Sequence, residues 1–236
     1  MRRKFDPAKP ELMDQPQPVS TELEGHLGNL RQLNRLFGSY SLISHFLHRW
    51  IKSGTRLRIV DLATGSGDVP RLIVDHARKV GGRVQIDALD RQPGTLEIAK
   101  RLSAGYPEIS FIEANILEWR PQERYDIALC SLVLHHFSEQ DAILVLRRCQ
   151  DISRNFVLVA DLRRGLLASV GVYLLTALIF RNPMLRHDGR LSAARAFSFV
   201  EFAKLARQAG WRDFGHGKFP LARQAVWVEK KGNRLQ

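Results

Sequence analysis

The chain is predicted to be an α/β protein, a mostly parallel sheet with an antiparallel C-terminal strand and helices on both faces. Three observations lead there. From residue 56 onward, short β-branched runs alternate with longer stretches of helical spacing, the pattern of a parallel sheet covered on both sides. The first run ends in an acid and passes directly into a glycine turn that opens a helix. The last two runs are separated only by a short turn at Pro220, which makes them antiparallel neighbours.

Taken in order, strands are expected at 57–62, 83–89, 109–113, 125–131 and 155–160, with helices at 68–79, 93–102, 139–149 and 166–180. A helix at 199–208 stops at Gly210, and strands at 212–219 and 224–229 bring the sheet to seven. Ahead of the first strand, Leu30, Leu33, Leu36, Phe37, Ile43, Phe46, Leu47 and Trp50 are spaced for one or two helices lying over the sheet's ligand edge. Residues 1–26, rich in proline and poor in apolar side chains at their start, read as a mobile leader. Residues 27–236 then form one domain, with a helical cover at 27–55 and a lid at 161–198. A chain of 236 residues needs no second core.

Hydrophobic content of 44% with 25% charged residues is that of a globular protein, which sets aside disordered and fibrous classes. Lys and Arg outnumber Asp and Glu by 36 to 24, so the surface attracts anions: nucleic acid, lipid headgroups or an acidic substrate. Cys130 and Cys149 lie inside apolar stretches, which suits a reducing cytoplasm and offers neither a disulfide framework nor a zinc site; no metal is expected. No apolar run follows Arg2, Arg3 and Lys4, so the start does not read as a secretory signal. The most apolar stretch, 165–180, is shorter than the roughly 18 residues a membrane span needs, and Arg163, Arg164 and Arg181 flank it. It suits peripheral contact with the inner face of a membrane at most.

The segment "RIVDLATGSGD", from Arg58 to Asp68, is the most informative. Gly65 and Gly67 permit positive φ and close approach of a ligand, and the helix that follows offers free N–H groups. A dinucleotide fingerprint starting at Gly65 would need a third glycine at position 70, which is Pro70. Asp61, just before the turn, would repel a pyrophosphate but suits a ligand carrying an ammonium group. Asp90, ending the second strand, stands where a carboxylate accepts ribose hydroxyls, with Asp87 a weaker candidate. Asn115, after the third strand, has a side-chain amide suited to an adenine edge.

"DLATGSGD", followed by "ALDRQPGTLEIAKR", "EANI" and "YDIALCSLVLHHF", resembles the class I S-adenosylmethionine-dependent methyltransferases, and among them most resembles the ubiquinone and menaquinone biosynthesis branch. The resemblance takes in "LNRLFGSYSLISHFLHRW" and implies a Rossmann-like seven-stranded sheet with S-adenosyl-L-methionine as cofactor. It implies cofactor contacts at Asp61, Ala63, Gly65, Ser66, Gly67, Asp90, Arg91, Asn115, Ile116 and Ser131. Ala63 stands where the commoner family turn has its first glycine, as in the quinone branch. The segment after Asp161 departs from the quinone enzymes.

Displacement at a sulfonium needs alignment and exclusion of water more than it needs catalytic groups. An oxygen nucleophile gains from a base, and His135 and His136 follow the fourth strand at the rim of the expected site. Either can also serve as a helix cap or packing residue. His187 beside Asp188 is the rival base, against a reading as a surface turn ended by Gly189. Arg163, Arg164, Arg181, Arg186, Arg190 and Arg195 can hold a carboxylate or phosphate, or form a solvated face. The expected activity is methyl transfer to an oxygen, less so a carbon, of a small apolar, aromatic or quinone- or polyketide-like molecule with a phenolic or anionic group. Two rivals are a nucleic-acid methyltransferase and a non-catalytic, membrane-associated binding protein. Against the first, "SLVLHH" lacks the Asn/Asp-Pro-Pro-aromatic motif of base amino-methylation, and no proline precedes Cys130, so nucleic acid is not the expected partner. The sequence sets no oligomeric state.

Overall fold

The computed structural model describes residues 2–165 and 183–230. Seven strands form one sheet: β1 (Arg56–Leu62), β2 (Arg83–Asp90), β3 (Ile109–Glu113), β4 (Tyr125–Ser131), β5 (Ser153–Leu162), β6 (Gly215–Phe219) and β7 (Arg223–Glu229). Their order is β3-β2-β1-β4-β5-β7-β6. The first five are parallel, and β7 runs antiparallel to both β5 and β6. The chain order reverses direction across the sheet between β1 and β4. Ligands of such sheets bind outside the carboxyl ends at that point.

Helices α1 (Thr21–Leu36), α2 (Ser39–Trp50), α3 (Asp68–Val80), α4 (Pro93–Leu102), α5 (Glu139–Asp151), α6 (Pro183–Arg195) and α7 (Phe199–Gln208) surround it. Their ends follow ordinary capping chemistry. Ser20 caps α1 by accepting from Leu23 N–H, Pro93 opens α4, and Ser198 and Glu201 form a reciprocal capping box on α7. Alternation along the strands divides the core between the two faces. Val60, Leu62, Ala128 and Val159 pack towards α5 and α7, while Ile59, Ile86, Ile127 and Leu158 pack towards α2 and α3. Both cysteines are free and buried in the first cluster.

The expected strands and most helices are present, with ends that match or move by at most three residues. Three differences matter. First, α1 begins at Thr21, inside the stretch expected as a mobile leader, and the residues before it are bound to the domain: Lys4 N–H donates to Ala194 C=O at 3.0 Å, and Leu12 N–H to the Asp188 carboxylate at 3.0 Å. Proline content hid this, because the segment is held by side chains of distant elements rather than by its own periodicity. Second, α6 runs through Gly189, which therefore ends no turn. Third, the last pair of strands is shorter than drawn, since β6 begins only at Gly215. The expected helix at 166–180, with the central part of the lid and Arg181, lies outside the described residues. No described helix is long and apolar enough to cross a membrane.

Candidate active site

A cavity of ≈ 750 Å³ opens at the carboxyl ends of β1, β2 and β4, within the usual size of ligand sites. Its floor is the turn after β1. Thr64 N–H donates to Leu89 C=O at 2.7 Å, and Gly65 N–H donates to Asp90 Oδ2 at 2.8 Å, so the turn is tied to β2. Asp90 Oδ1 also accepts Gln92 N–H at 3.1 Å. Burial raises the Asp90 carboxyl above its ordinary range, and these backbone donors oppose the rise.

Asp61 lies beneath the turn, fully buried, and its Oδ1 has no hydrogen-bond partner. Burial pushes its carboxyl up to about 7, opposed by the neighbouring Thr64 hydroxyl and helped by the charges of Asp68 and Asp90. A buried carboxylate oxygen without a partner, behind the turn that lines the cavity, fits a cationic ligand. Gly65 supports the same conclusion: its φ is +55°, and a Cβ placed there would stand in open space, so the backbone is bare where a ligand would rest. Gly67, at φ +72°, is close-packed instead, and a Cβ there would meet the Phe111 ring at 3.1 Å. Ala63 takes φ 61°, a left-handed conformation that favours glycine. Ala63→Gly is therefore expected to stabilise the fold by about 0.5–1 kcal/mol net of the added chain entropy, read as a rise in melting temperature.

The opposite wall comes from the N-terminus. Residues Leu12–Asp14 form a 3-10 turn whose Asp14, with Glu11 just before it, faces the histidine pair. His135 is buried and doubly fixed by Asp161 at the end of β5: its N–H donates to Oδ2 at 2.8 Å and its Nδ1 lies 2.6 Å from Oδ1. His136 Nδ1 lies 2.7 Å from Asp14 Oδ2, and its Nε2 lies 3.8 Å from Glu11 Oε2. Burial opposes protonation of His136, but Glu11, Asp14 and Asp161 outweigh it and raise the ring to about 9. Held this way and with no other cation in the cluster, the His136 ring favours its protonated form near neutral pH. His135, held by Asp161 through Nδ1, lines the same cavity.

Asp188 holds the segment in place. It is buried, and its two oxygens accept Leu12 N–H at 3.0 Å and Met13 N–H at 3.2 Å. Asp188→Ala is expected to remove roughly 2–3 kcal/mol of charge-assisted bonding and to open residues 11–14 to protease at a clearly higher rate, measured by limited proteolysis of the folded protein.

Residues 59–155 match the Methyltransferase domain family. No curated protein sequence matches the chain. Solved structures resemble it at low identity. BamL, a plantazolicin methyltransferase crystallised with a substrate analogue and SAH, aligns at TM-score 0.68 and 14% identity over 92% of each chain. A candidate O-methyltransferase from Nostoc punctiforme aligns at 0.60 and 18% over 82% of this chain and 56% of its own. Human N-acetylserotonin methyltransferase, crystallised with SAM, aligns at 0.53 and 17% over 73% of this chain and 47% of its own. The fold is that of the methyltransferases. The chain spans about half the length of the Nostoc and human proteins and nearly all of BamL.

Within residues 59–155, Ala63, Gly65, Ser66, Asp90, Arg91, Asn115, Ile116 and Ser131 all line the cavity. Asp61 and Gly67 lie outside its lining, Asp61 under the turn and Gly67 packed on Phe111. Arg91 turns to Asp14, donating to its backbone oxygen at 3.2 Å. Asn115 is occupied locally, donating to Glu118 at 3.1 Å and accepting from Leu117 N–H at 3.0 Å. Asp87 is structural, accepting the Tyr125 hydroxyl at 2.6 Å. His187 is more than half exposed and absent from the cavity lining; its ring lies 3.0 Å from Asp188. Of the expected basic residues, Arg164 is buried against both oxygens of Glu201 at 2.7 and 2.8 Å, and Arg195 reaches the cavity but donates to the backbone oxygens of Asp6 and Lys9. The side chains of Arg181 and Arg186 lie outside the described residues.

Several cavity residues were not read from the sequence: Glu11, Asp14, His26, Arg31 and Arg223. Both nitrogens of His26 and Nη1 of Arg31 are buried without a partner. Burial lowers Arg223 to about 10, with Asp161 opposing, and its Nε donates to Ser39 Oγ at 2.8 Å. The two acids three apart in "PELMD" were the available signal for the N-terminal wall; the others hide in an amphipathic helix and a terminal strand.

Proposed function

We propose that this protein is an S-adenosylmethionine-dependent methyltransferase that alkylates a hydroxyl oxygen of a small, largely apolar molecule bearing a phenolic or anionic group. The buried Asp61 carboxylate, its Oδ1 without a hydrogen-bond partner, beneath the bare backbone of Gly65 carries the cofactor half of this reading. The Asp61 charge and the turn at 63–67 would hold the amino-acid end, Asp90 the ribose, and Asn115 and Ile116 the base. When bound, the cofactor supplies a methyl group on a positively charged sulfur, open to in-line displacement.

The chain's own residues supply the rest. The N-terminal segment, α1 and α2 contribute one side of the cavity and would limit the access of water to the reacting atoms. Leu27, Leu30, Phe37 and Ile43 give it apolar walls, and the unpartnered His26 and Arg31 are donors for an acceptor's oxygen. His135, held by Asp161 in one orientation, would face the acceptor's hydroxyl and assist its ionisation, with Glu11 and His136 beside it. The mostly apolar lining of the acceptor space supports this reading over nucleic acid, whose backbone needs a basic track.

The test is an acceptor screen with methyl-labelled cofactor, read by mass. Transfer to phenols or hydroxylated aromatic acids supports the proposal. Labelling of RNA in preference to every small acceptor would overturn it.

A further inference from the structure

Among the described residues, Glu11, His135 and His136 present one ligand-type atom each, all within 4.8 Å of one another. Both imidazoles are anchored through Nδ1, His135 on Asp161 at 2.6 Å and His136 on Asp14 at 2.7 Å, which turns Nε2 of each into the available atom. Histidines that bind metal ions are held in this way, with the second nitrogen on a carboxylate that fixes tautomer and ring orientation. Two such rings side by side, 4.3 Å between centroids, are more than a capping role requires.

The gap between the ligands is as telling as the ligands. His136 Nε2 and Glu11 Oε2 stand 3.8 Å apart, beyond hydrogen-bond range but close to the separation of two atoms that each lie about 2.1 Å from one ion. Glu11 is held from its other side, where Oε1 accepts the Ser192 hydroxyl at 2.8 Å with Arg195 Nη1 at 4.0 Å, so Oε2 is presented without freedom to turn away. Glu11 is 5% exposed and His135 3%, yet all three residues line the cavity. The set is therefore buried on its protein side and open towards the acceptor.

We propose that Glu11, His135 and His136 bind a divalent transition-metal ion with an open coordination position facing the acceptor space. This rests on the methyltransferase reading and specifies how its acceptor is activated. Two imidazoles and one carboxylate with a vacant position form a catalytic rather than a structural ligand set, and they favour zinc-like ions over magnesium or calcium. An acceptor hydroxyl bound at the open position loses its proton to water, leaving the oxygen anion on the ion. The N-terminal segment thereby supplies a ligand, which accounts for its fixing by Asp188, Arg91 and Gln92.

The test uses full-length protein treated with a chelator and titrated calorimetrically with Zn²⁺ and, separately, Mg²⁺. One equivalent of Zn²⁺ should bind at micromolar concentration or tighter, with no comparable Mg²⁺ binding. Glu11→Gln and His136→Gln should each weaken Zn²⁺ at least tenfold. S-adenosylhomocysteine binding, measured on the same samples, should stay within about threefold of wild type and so report an intact fold. Absence of stoichiometric Zn²⁺ binding, or binding that both variants leave unchanged, overturns the metal site and leaves the methyltransferase reading standing. Wild type that binds Zn²⁺ but not S-adenosylhomocysteine defeats the methyltransferase reading instead.

Discussion

Asp61→Asn is expected to weaken S-adenosylmethionine binding by at least about 30-fold while making the ligand-free protein more stable. The two effects have one cause. Asp61 is buried with Oδ1 unpartnered, and its carboxyl is raised to about 7 from an ordinary 3.8. The folded state therefore holds a proton that the unfolded chain has released between about pH 4 and 7, so folding stability falls as pH rises through that window. Above it, the buried charge is a cost on the order of a few kcal/mol that asparagine removes, which should raise the melting temperature by several degrees. A cation at the site reverses the balance. Losing the carboxylate then leaves the ligand's positive charge unpaired, a deficit of about 2 kcal/mol or more. Wild-type affinity should accordingly decline as pH falls below about 7, where Asp61 gains its proton. Calorimetry at pH 6 and pH 8, with melting curves at both, checks all three statements. Unchanged affinity in the variant would remove Asp61 from the site.

His135→Gln is expected to lower turnover of a phenolic acceptor about 100-fold or more, with cofactor affinity unchanged within about threefold. The ring is the part of the acceptor wall whose orientation is set twice by one carboxylate, through its backbone N–H and its Nδ1. Glutamine keeps most of the volume but lacks the imidazole lone pair, whether that lone pair serves a proton or an ion. Asp161→Asn should reproduce part of the loss by letting the ring take the other tautomer, which marks Asp161 as a positioning residue. Steady-state kinetics beside cofactor titration separates the roles. Equal falls in turnover and cofactor affinity would place His135 in the cofactor's support and not against the acceptor.

The sheet and the cofactor crevice were legible in the sequence because both follow from short-range rules. β-Branched runs at helix-length spacing define strands β1 to β5, and the glycine turn after Asp61 marks a place where the backbone stays bare, at Gly65. The acceptor side was legible only in part. His135 and His136 stood out as a pair, but their carboxylate partners come from β5 and from residue 14, separations of 26 and 122 residues that no local pattern reveals. The same long-range closure explains why the first part of residues 1–26 reads as a mobile leader. Their order comes from Asp188, Arg91 and Gln92, each far along the chain. His26 and Arg31 were invisible for a different reason: on an amphipathic helix the spacing shows which side is buried, but not that two polar side chains on it lack partners.

A positively charged nucleoside seated at the ends of β1 and β2 underlies every role assigned to the cavity. Calorimetric titration of S-adenosylmethionine into the wild-type protein at pH 8 tests this most directly. One-to-one binding in the micromolar range, accompanied by a rise in melting temperature, is the expected result. No heat and no thermal shift up to millimolar cofactor would contradict it.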